Sequence, residues 1–339
     1  MTKVTPGDES NLAVGRSRAK ISSPSRGTIS DCKSPRSQQG QTGGKKAMRL
    51  GSLVATLLAI PALAFGAESA PTITILEGNA AILRGGSRLA AAEGVRLQID
   101  DVVETAAGTF LQIEYAPGPI LDLGSGTRLM LGSYASTGSA RPALYLLSGW
   151  LKLTGRGEAA RQVVSVASPR MDITDWKGAD VIRVAGDTSM LFVESGQARV
   201  LDRRFGTSTE LQDGEYVELK GQKAPVPAPR PPAAFVAAVP APFRDSLPAR
   251  LPLFAERRVV PRYSGTFNYS DVEAWLNDRD LGHRLVRVWE VKANDPAFRA
   301  SLIANLAAHP EWFPVLYPDC CESTPADGND HRPVKPSSE

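Results

Sequence analysis

Residues 109–131 read TFLQIEYAPGPILDLGSGTRLML. From Thr109 to Tyr115 apolar and polar side chains alternate, with Leu111, Ile113 and Tyr115 on one face. A period of two is what a half-buried strand needs, because successive side chains point to opposite sides of the pleat. Pro117-Gly118-Pro119 breaks the run, since proline has no N–H to give to a ladder. Leu121 and Leu123, then Leu129 and Leu131, mark two further strands joined by a turn at Gly124-Ser125-Gly126.

The same rhythm extends outward from about Thr72 to Gly221. On the N-terminal side, Thr72–Leu76 runs into the turn Glu77-Gly78-Asn79, and Val102–Thr105 precedes Ala106-Ala107-Gly108. On the other side lie Leu144–Leu153, Val163–Ala167, Met171–Thr174, Val181–Ala185, Ser189–Val193, Ala198–Leu201 and Tyr216–Leu219. Short strands at such spacing, with no crossover helix between them, predict a mainly β sandwich, barrel or solenoid and not a parallel α/β sheet. Trp150 and Trp176 sit beside these strands and read as core or rim aromatics.

After the strands the composition shifts. Residues 222–262 are rich in Pro and Ala, with Pro225, Pro227, Pro229, Pro231 and Pro232 nearly alternating. This stretch reads as a semi-rigid spacer or as an ordered strap along the β domain. Residues 263–318 predict a small helical segment. Ser270 with Glu273 has the spacing of a capping box, and Leu285–Val291 is a second apolar run, helix or strand. Asp295-Pro296 opens the clearest helix, with Phe298, Leu302, Ile303 and Leu306 on one face. Trp312, Phe313, Leu316 and Tyr317 read as an apolar lid on the helices or as a partner or carbohydrate contact. Residues 319–339 read as a disordered polar tail.

The N-terminal part points to export. Lys45, Lys46 and Arg49 precede an uncharged apolar run, Leu50–Phe65, which ends in small residues with cleavage candidates at Ala64 and Gly66. Residues 48–66 thus have the three-part pattern of a secretory signal and are short for a membrane span. An uncleaved anchor in the inner membrane is the alternative. Residues 1–47 are polar and basic with no apolar period, which predicts disorder. They are expected to be an over-long start, with translation beginning at Met48.

The net charge of the 339 residues is +3, which gives no pull toward nucleic acid. The only three cysteines are Cys32, in the stretch that processing should remove, and the neighbours Cys320 and Cys321. An adjacent pair closes only a strained ring, so a disulfide there, an intermolecular bridge and free thiols are all open. No Cys/His spacing suggests a metal.

In order along the chain, several pieces resemble the FecR domain of periplasmic signal-transducing regulators and of stand-alone exported proteins. Gly78 with Ala80-Ala81-Ile82 is similar to its opening strand. Gly94, Leu97 and Asp101-Val102-Val103-Glu104-Thr105 are similar to its G-x-x-L-x-x-G-D-x-v-x-T segment. Leu147–Leu151 around Gly149 resembles its l-x-G-x-l step, and Val166–Pro169 with Met171 and Ile173 its v-x-T-P-x-a-x-i. Lys177-Gly178-Ala179-Asp180 stands where the family has G-T-x-F. Phe192–Gly196 with Ala198 and Val200 matches v-x-V-x-e-G-x-v-x-V, and Leu211 with Gly214 the closing turn. Asp100 replaces a glycine that often precedes the family's Asp, which suggests a different turn. The resemblance covers residues 72–221. It implies a FecR-like sandwich or solenoid and a periplasmic location. The helical cytoplasmic domain by which family regulators hold a sigma factor is not legible in residues 1–47.

No nucleophile elbow, zinc helix motif or phosphate loop is present, and Asp100-Asp101 is the one tight carboxylate pair in residues 72–221, before the linker. His309-Pro310-Glu311-Trp312 has the look of a metal or acid/base pair but lacks partner spacing. The expected function is therefore non-enzymatic, without cofactor or metal. It is a binding or structural role in the cell envelope through a protein or glycan partner, with membrane contact only through the signal or anchor. The alternative is an accessory in transmembrane signalling to a sigma factor.

Overall fold

The computed structural model describes residues 69–116, 118–132, 143–155, 165–245 and 247–318. The export signal with Ala64 and Gly66, the start at Met48, the cysteines and the tail fall outside these residues.

The chain is mainly β, with a few C-terminal helices. Fourteen strands form one hydrogen-bonded sheet: β1 (Ser69–Glu77), β2 (Ala80–Arg84), β3 (Ser87–Ala90), β4 (Val102–Thr105), β5 (Phe110–Ala116), β6 (Ile120–Leu123), β7 (Arg128–Gly132), β8 (Ala143–Thr154), β9 (Ser165–Ala167), β10 (Met171–Ala185), β11 (Thr188–Asp202), β12 (Thr207–Gln212), β13 (Tyr216–Leu219) and β14 (Arg262–Thr266). The sheet closes over itself. One half runs β1-β5-β6-β8-β10-β11-β13. The other runs β14-β3-β2-β4-β7-β8-β9-β10-β11-β12. The long strands β8, β10 and β11 belong to both halves, so each must bend from one layer into the next.

Side-chain parity records the bends. On β8 the core positions are Leu144 and Leu146, then Leu151 and Leu153. On β10 they are Met171 and Ile173, then Ile182 and Val184; on β11, Leu191 and Val193, then Ala198 and Val200. In each strand the inward set changes from even to odd numbers or back. A pleat can do this only by gaining or losing a residue at a bulge. The sequence reading split β10 and β11 into four short strands, because alternation breaks mid-strand. The structure corrects this: the backbone stays paired through each break.

The bends are made of glycine. Gly178 and Gly196 face each other across the β10–β11 ladder at φ 101° and 89°. A Cβ on Gly178 would lie 2.1 Å from the Ser195 carbonyl oxygen, and one on Gly196 would lie 2.0 Å from that of Lys177. Neither contact is possible for a side-chain carbon, so both bends require glycine. Asp100, by contrast, keeps the left-handed turn, at φ 71°, without being glycine. An Asp tolerates that region, and Arg284 grips its carboxylate at 2.6 and 2.8 Å.

The Pro/Ala-rich stretch lies along the first layer as a strap, the second of the two readings open from sequence. It contains one short α-helix, α1 (Ala233–Ala238), and two 3-10 turns, Ala241–Arg244 and Leu251–Phe254. Phe235 packs on Trp150, Phe192 and Tyr216, and Phe243 on Phe110. Lys152 Nζ donates to the Phe243 carbonyl at 2.5 Å, and Arg250 N to Glu114 Oε1 at 2.8 Å.

The C-terminal helices α2 (Tyr269–Leu276), α3 (Gly282–Trp289), α4 (Pro296–Ala304) and α5 (Phe313–Leu316) cap the outer face of the second layer. Phe267, Val272, Trp275, Leu285, Trp289 and Trp312 form one buried cluster with Leu83, Val102, Met130 and Tyr145 of the strands. Helices this short are marginal alone, so that shared cluster stabilises them. The cap of α2 is Asn268 with Asp271, two residues before the predicted Ser270 and Glu273. Asp295 caps α4 by accepting from Ala297 and Phe298 N–H, as its position before Pro296 predicts. Ile303 is 41% exposed, off the face formed by Phe298 and Leu302. Five residues from Phe298, it is turned about 140° around the helix.

Gly178→Ala and Gly196→Ala are each expected to cost at least about 2 kcal/mol, or to prevent folding. Gly186→Ala, in a turn at φ 57° with open space around it, is expected to cost about 1 kcal/mol. Urea midpoints of the three variants check the ranking.

Candidate interaction site at the sheet edge

The residues singled out by the family resemblance have structural positions. Asp101 is fully buried, accepts two hydrogen bonds from Arg84 at 2.6 and 2.7 Å, and accepts Gln98 N–H at 2.8 Å. The Thr105 hydroxyl donates to Gly124 O at 2.6 Å and accepts Thr127 N–H at 2.8 Å. Gly149 abuts Thr127, Gly78 abuts Thr109, and Gly94 sits against Phe254 and Val259. Gly214 turns at φ 80° between β12 and β13, and Pro169 precedes β10 beside Arg170. These positions are spread over the fold and form no cluster. Asp100 and Asp101 are adjacent in sequence, yet each carboxylate is held by its own arginine.

A charged seam joins the sandwich to the helical cap. Arg203 bridges Asp172 at 3.1 Å and Asp280, and Arg170 pairs with Asp202 at 3.2 Å. The Tyr145 hydroxyl donates to Asp278 Oδ2 at 2.5 Å. Burial raises the pKa of Asp172 and of Asp278. Burial, and then the Asp278 charge, raises that of Tyr145. A cleft of about 560 Å³ opens here, lined by Arg170, Arg203, Arg204, Asp187 and Asp280. The pair of Arg170 with Asp202 ties β10 to β11, and Arg203 joins the sandwich to the cap through Asp280.

His309 is buried, with Nε2 2.7 Å from the Tyr269 hydroxyl. Trp312 is also fully buried, in the cluster under the helices, while Phe313 is 42% exposed. Among the described residues no group of three His, Cys, Asp or Glu side chains could hold a metal ion.

The open site lies one row away from the cap, on the same outer face. The cap covers Leu83, Val102, Met130 and Tyr145. Two residues farther along β2, β4 and β7, and three along β8 where the register shifts, the pairings place Ser148, Arg128, Glu104, Ala81, Ala90 and Arg262 side by side across the sheet. All of these but Arg262 line a trough of about 410 Å³, together with Arg88, Thr105 and Ser264. The alanines make a low floor. Glu104 is held by Trp275 Nε1 at 3.1 Å, by Arg128 at 3.5 Å and by Arg88 at 3.7 Å. Two half-exposed guanidiniums thus share one carboxylate and keep donors for an external anion. None of the trough hydroxyls, on Thr105, Ser148 and Ser264, has a histidine beside it in that lining. The arrangement can hold an anion and offers no nucleophile–base pair.

Sequence reasoning did not find this site. Its residues sit at the outward positions of six strands, where polar or small side chains are ordinary. Only the pairing register brings them into one row.

One buried group does no such binding. The row Ile73, Ile113, Leu121, Leu153, Asp180 and Val193 crosses the inner face of the first layer. Five of its members are apolar, and Asp180 is a fully buried carboxylate whose oxygens have no hydrogen-bond partner. Burial pushes its pKa up to about 8 from 3.8.

No family model matches the chain, and no curated protein matches it significantly. Among solved structures, two crystal structures of a "putative anti-sigma factor" from Parabacteroides distasonis ATCC 8503 are similar, at 13% and 11% identity and a TM-score of 0.32. Each match covers 38% of this chain and 59% of the other, so it spans less than two thirds of that protein's length. A TM-score that low carries no argument about fold or function.

The buried Asp180 has a pH signature. The folded chain keeps a proton that the unfolded chain loses near pH 3.8. Its contribution to stability is therefore greatest below that pH, and falls by up to about 1.4 kcal/mol per unit until Asp180 ionises near pH 8. In Asp180→Asn this contribution is absent. Its stability relative to the wild type should rise steadily from pH 4 to pH 8 in denaturant titrations. Parallel profiles would contradict the assignment.

Proposed function

We propose that this chain is a non-enzymatic, exported FecR-like protein that acts in the cell envelope by binding a protein or glycan partner. The observation that carries the reading is the trough. It is open, lined by arginines with donors to spare, and has no acid–base or nucleophilic pair. The buried ionic groups of the seam, and Asp101 with Arg84, hold the fold together, so they are not reserved for chemistry. The ordered FecR-like motifs and the signal pattern at 48–66 support a periplasmic location from the sequence side. Among the described residues no helix is long and apolar enough to cross a membrane.

The test is fractionation of a C-terminally tagged chain from its native host, with intact mass and cross-linked partners identified. The expected product is periplasmic, starts just after Ala64 or Gly66, and carries envelope proteins or glycans. A cytoplasmic chain retaining residues 1–47 would overturn export. Recovery of an anti-sigma partner, with altered regulon expression on deletion, would favour the signalling accessory. Turnover of an envelope substrate by pure protein would restore the enzyme reading.

A further inference from the structure

β14 ends the second layer. It pairs with β3 on one side, and among the described residues no other strand lies on its far side. The other edges are better covered. β1 is bridged to Arg96 at Thr72, and β13 to the strap at Ala228. β12, at the opposite end of the second layer, has neither arginines nor large exposed apolar side chains along it. An edge strand presents backbone donors and acceptors that can template another chain. Beside the free edge of β14, Val260 and Tyr263 are 76% and 63% exposed.

Arginines outnumber carboxylates here, with Glu256 beside Arg257 in the chain. Arg257, Arg258 and Arg262 are exposed, and among the described residues none has a carboxylate partner. The row that ends at Arg262 continues into the trough, past its alanine floor to Arg128, with Arg88 alongside. An extended segment laid along β14 would thus meet backbone groups at the edge. Its side chains on the outer face would point toward the trough, where guanidinium donors are free.

From this we infer that the β14 edge and the adjoining trough take an extended, acidic peptide segment of a partner protein by strand addition. Backbone pairing supplies the docking mode, and the arginines select carboxylate side chains. The floor of Ala81 and Ala90 admits such side chains without a clash. The inference rests on the proposed binding role and specifies the partner's chemistry. An anionic glycan would use the arginines but has no backbone to pair with β14, so the exposed edge favours the peptide.

The test uses the full chain and three probes: a fluorescein-labelled decapeptide alternating Val or Thr with Asp or Glu, the same peptide with Lys in place of its acids, and heparin. Anisotropy should show binding of the acidic peptide and at least tenfold weaker binding of the lysine peptide. Hydrogen exchange should slow at residues 262–266 when the acidic peptide is present. The double variant Arg257→Glu/Arg262→Glu, whose side chains are exposed and unpaired, should weaken binding at least tenfold at unchanged Tm. The pair Arg88→Gln/Arg128→Gln should weaken it independently. No acidic-peptide binding, or binding without protection of 262–266, would overturn the inference. So would equal binding of both peptides. Heparin binding alone, lost in the arginine variants, would overturn the peptide and leave the envelope-binding role standing. A cytoplasmic location would remove that role whatever the peptide does.

Discussion

The structure depends on the crossing of β10 and β11 at Gly178 and Gly196. There the two longest strands bend together from one layer to the other and exchange their inward and outward faces. The backbones approach so closely that neither position has room for a Cβ. This contact is what lets one hydrogen-bonded sheet enclose its own core. Without it the alternation of β10 and β11 would carry Ile182, Val184, Leu191 and Val193 to the wrong face. The strap and the cap then cover the outer faces of the two layers, and each is anchored to them by aromatic packing and a few charged contacts.

That enclosure decides which polar groups remain available. Asp101 with Arg84, Asp202 with Arg170, and Asp100 with Arg284 are tied up in joining strands, turns and the cap. Asp180 is confined to the core, where its burial is a cost that grows as pH rises. The outer row through Ala81 and Ala90 escapes the cap, and β14 escapes pairing on one side. Binding is thus assigned to the part of the β surface that neither strap nor cap covers.

Much of the architecture was legible in the sequence. Alternation at Leu111, Ile113, Leu121, Leu123, Leu129 and Leu131 marks core faces that the structure keeps buried. Asp295-Pro296 marks a helix start, because a carboxylate before a residue without an N–H fits the first turn. The long strands were not legible, since a bulge at a glycine looks like the end of a strand when only alternation is read. The cap of α2 was misplaced because Asn268 and Asp271 have the same spacing as Ser270 and Glu273. The trough was invisible for a different reason. It is made by register between six strands, and no local pattern encodes which outward residues become neighbours.

The claim at the centre is that β10 and β11 are each continuous through their glycine bends and join the two layers into one cooperative unit. Native-state hydrogen exchange followed by mass spectrometry measures this directly. The account predicts that amides on both sides of the bends, at 171–174 and 180–184 and at 189–193 and 198–201, exchange with one shared free energy near that of global unfolding. Exchange of the two halves of either strand at clearly different free energies would contradict it.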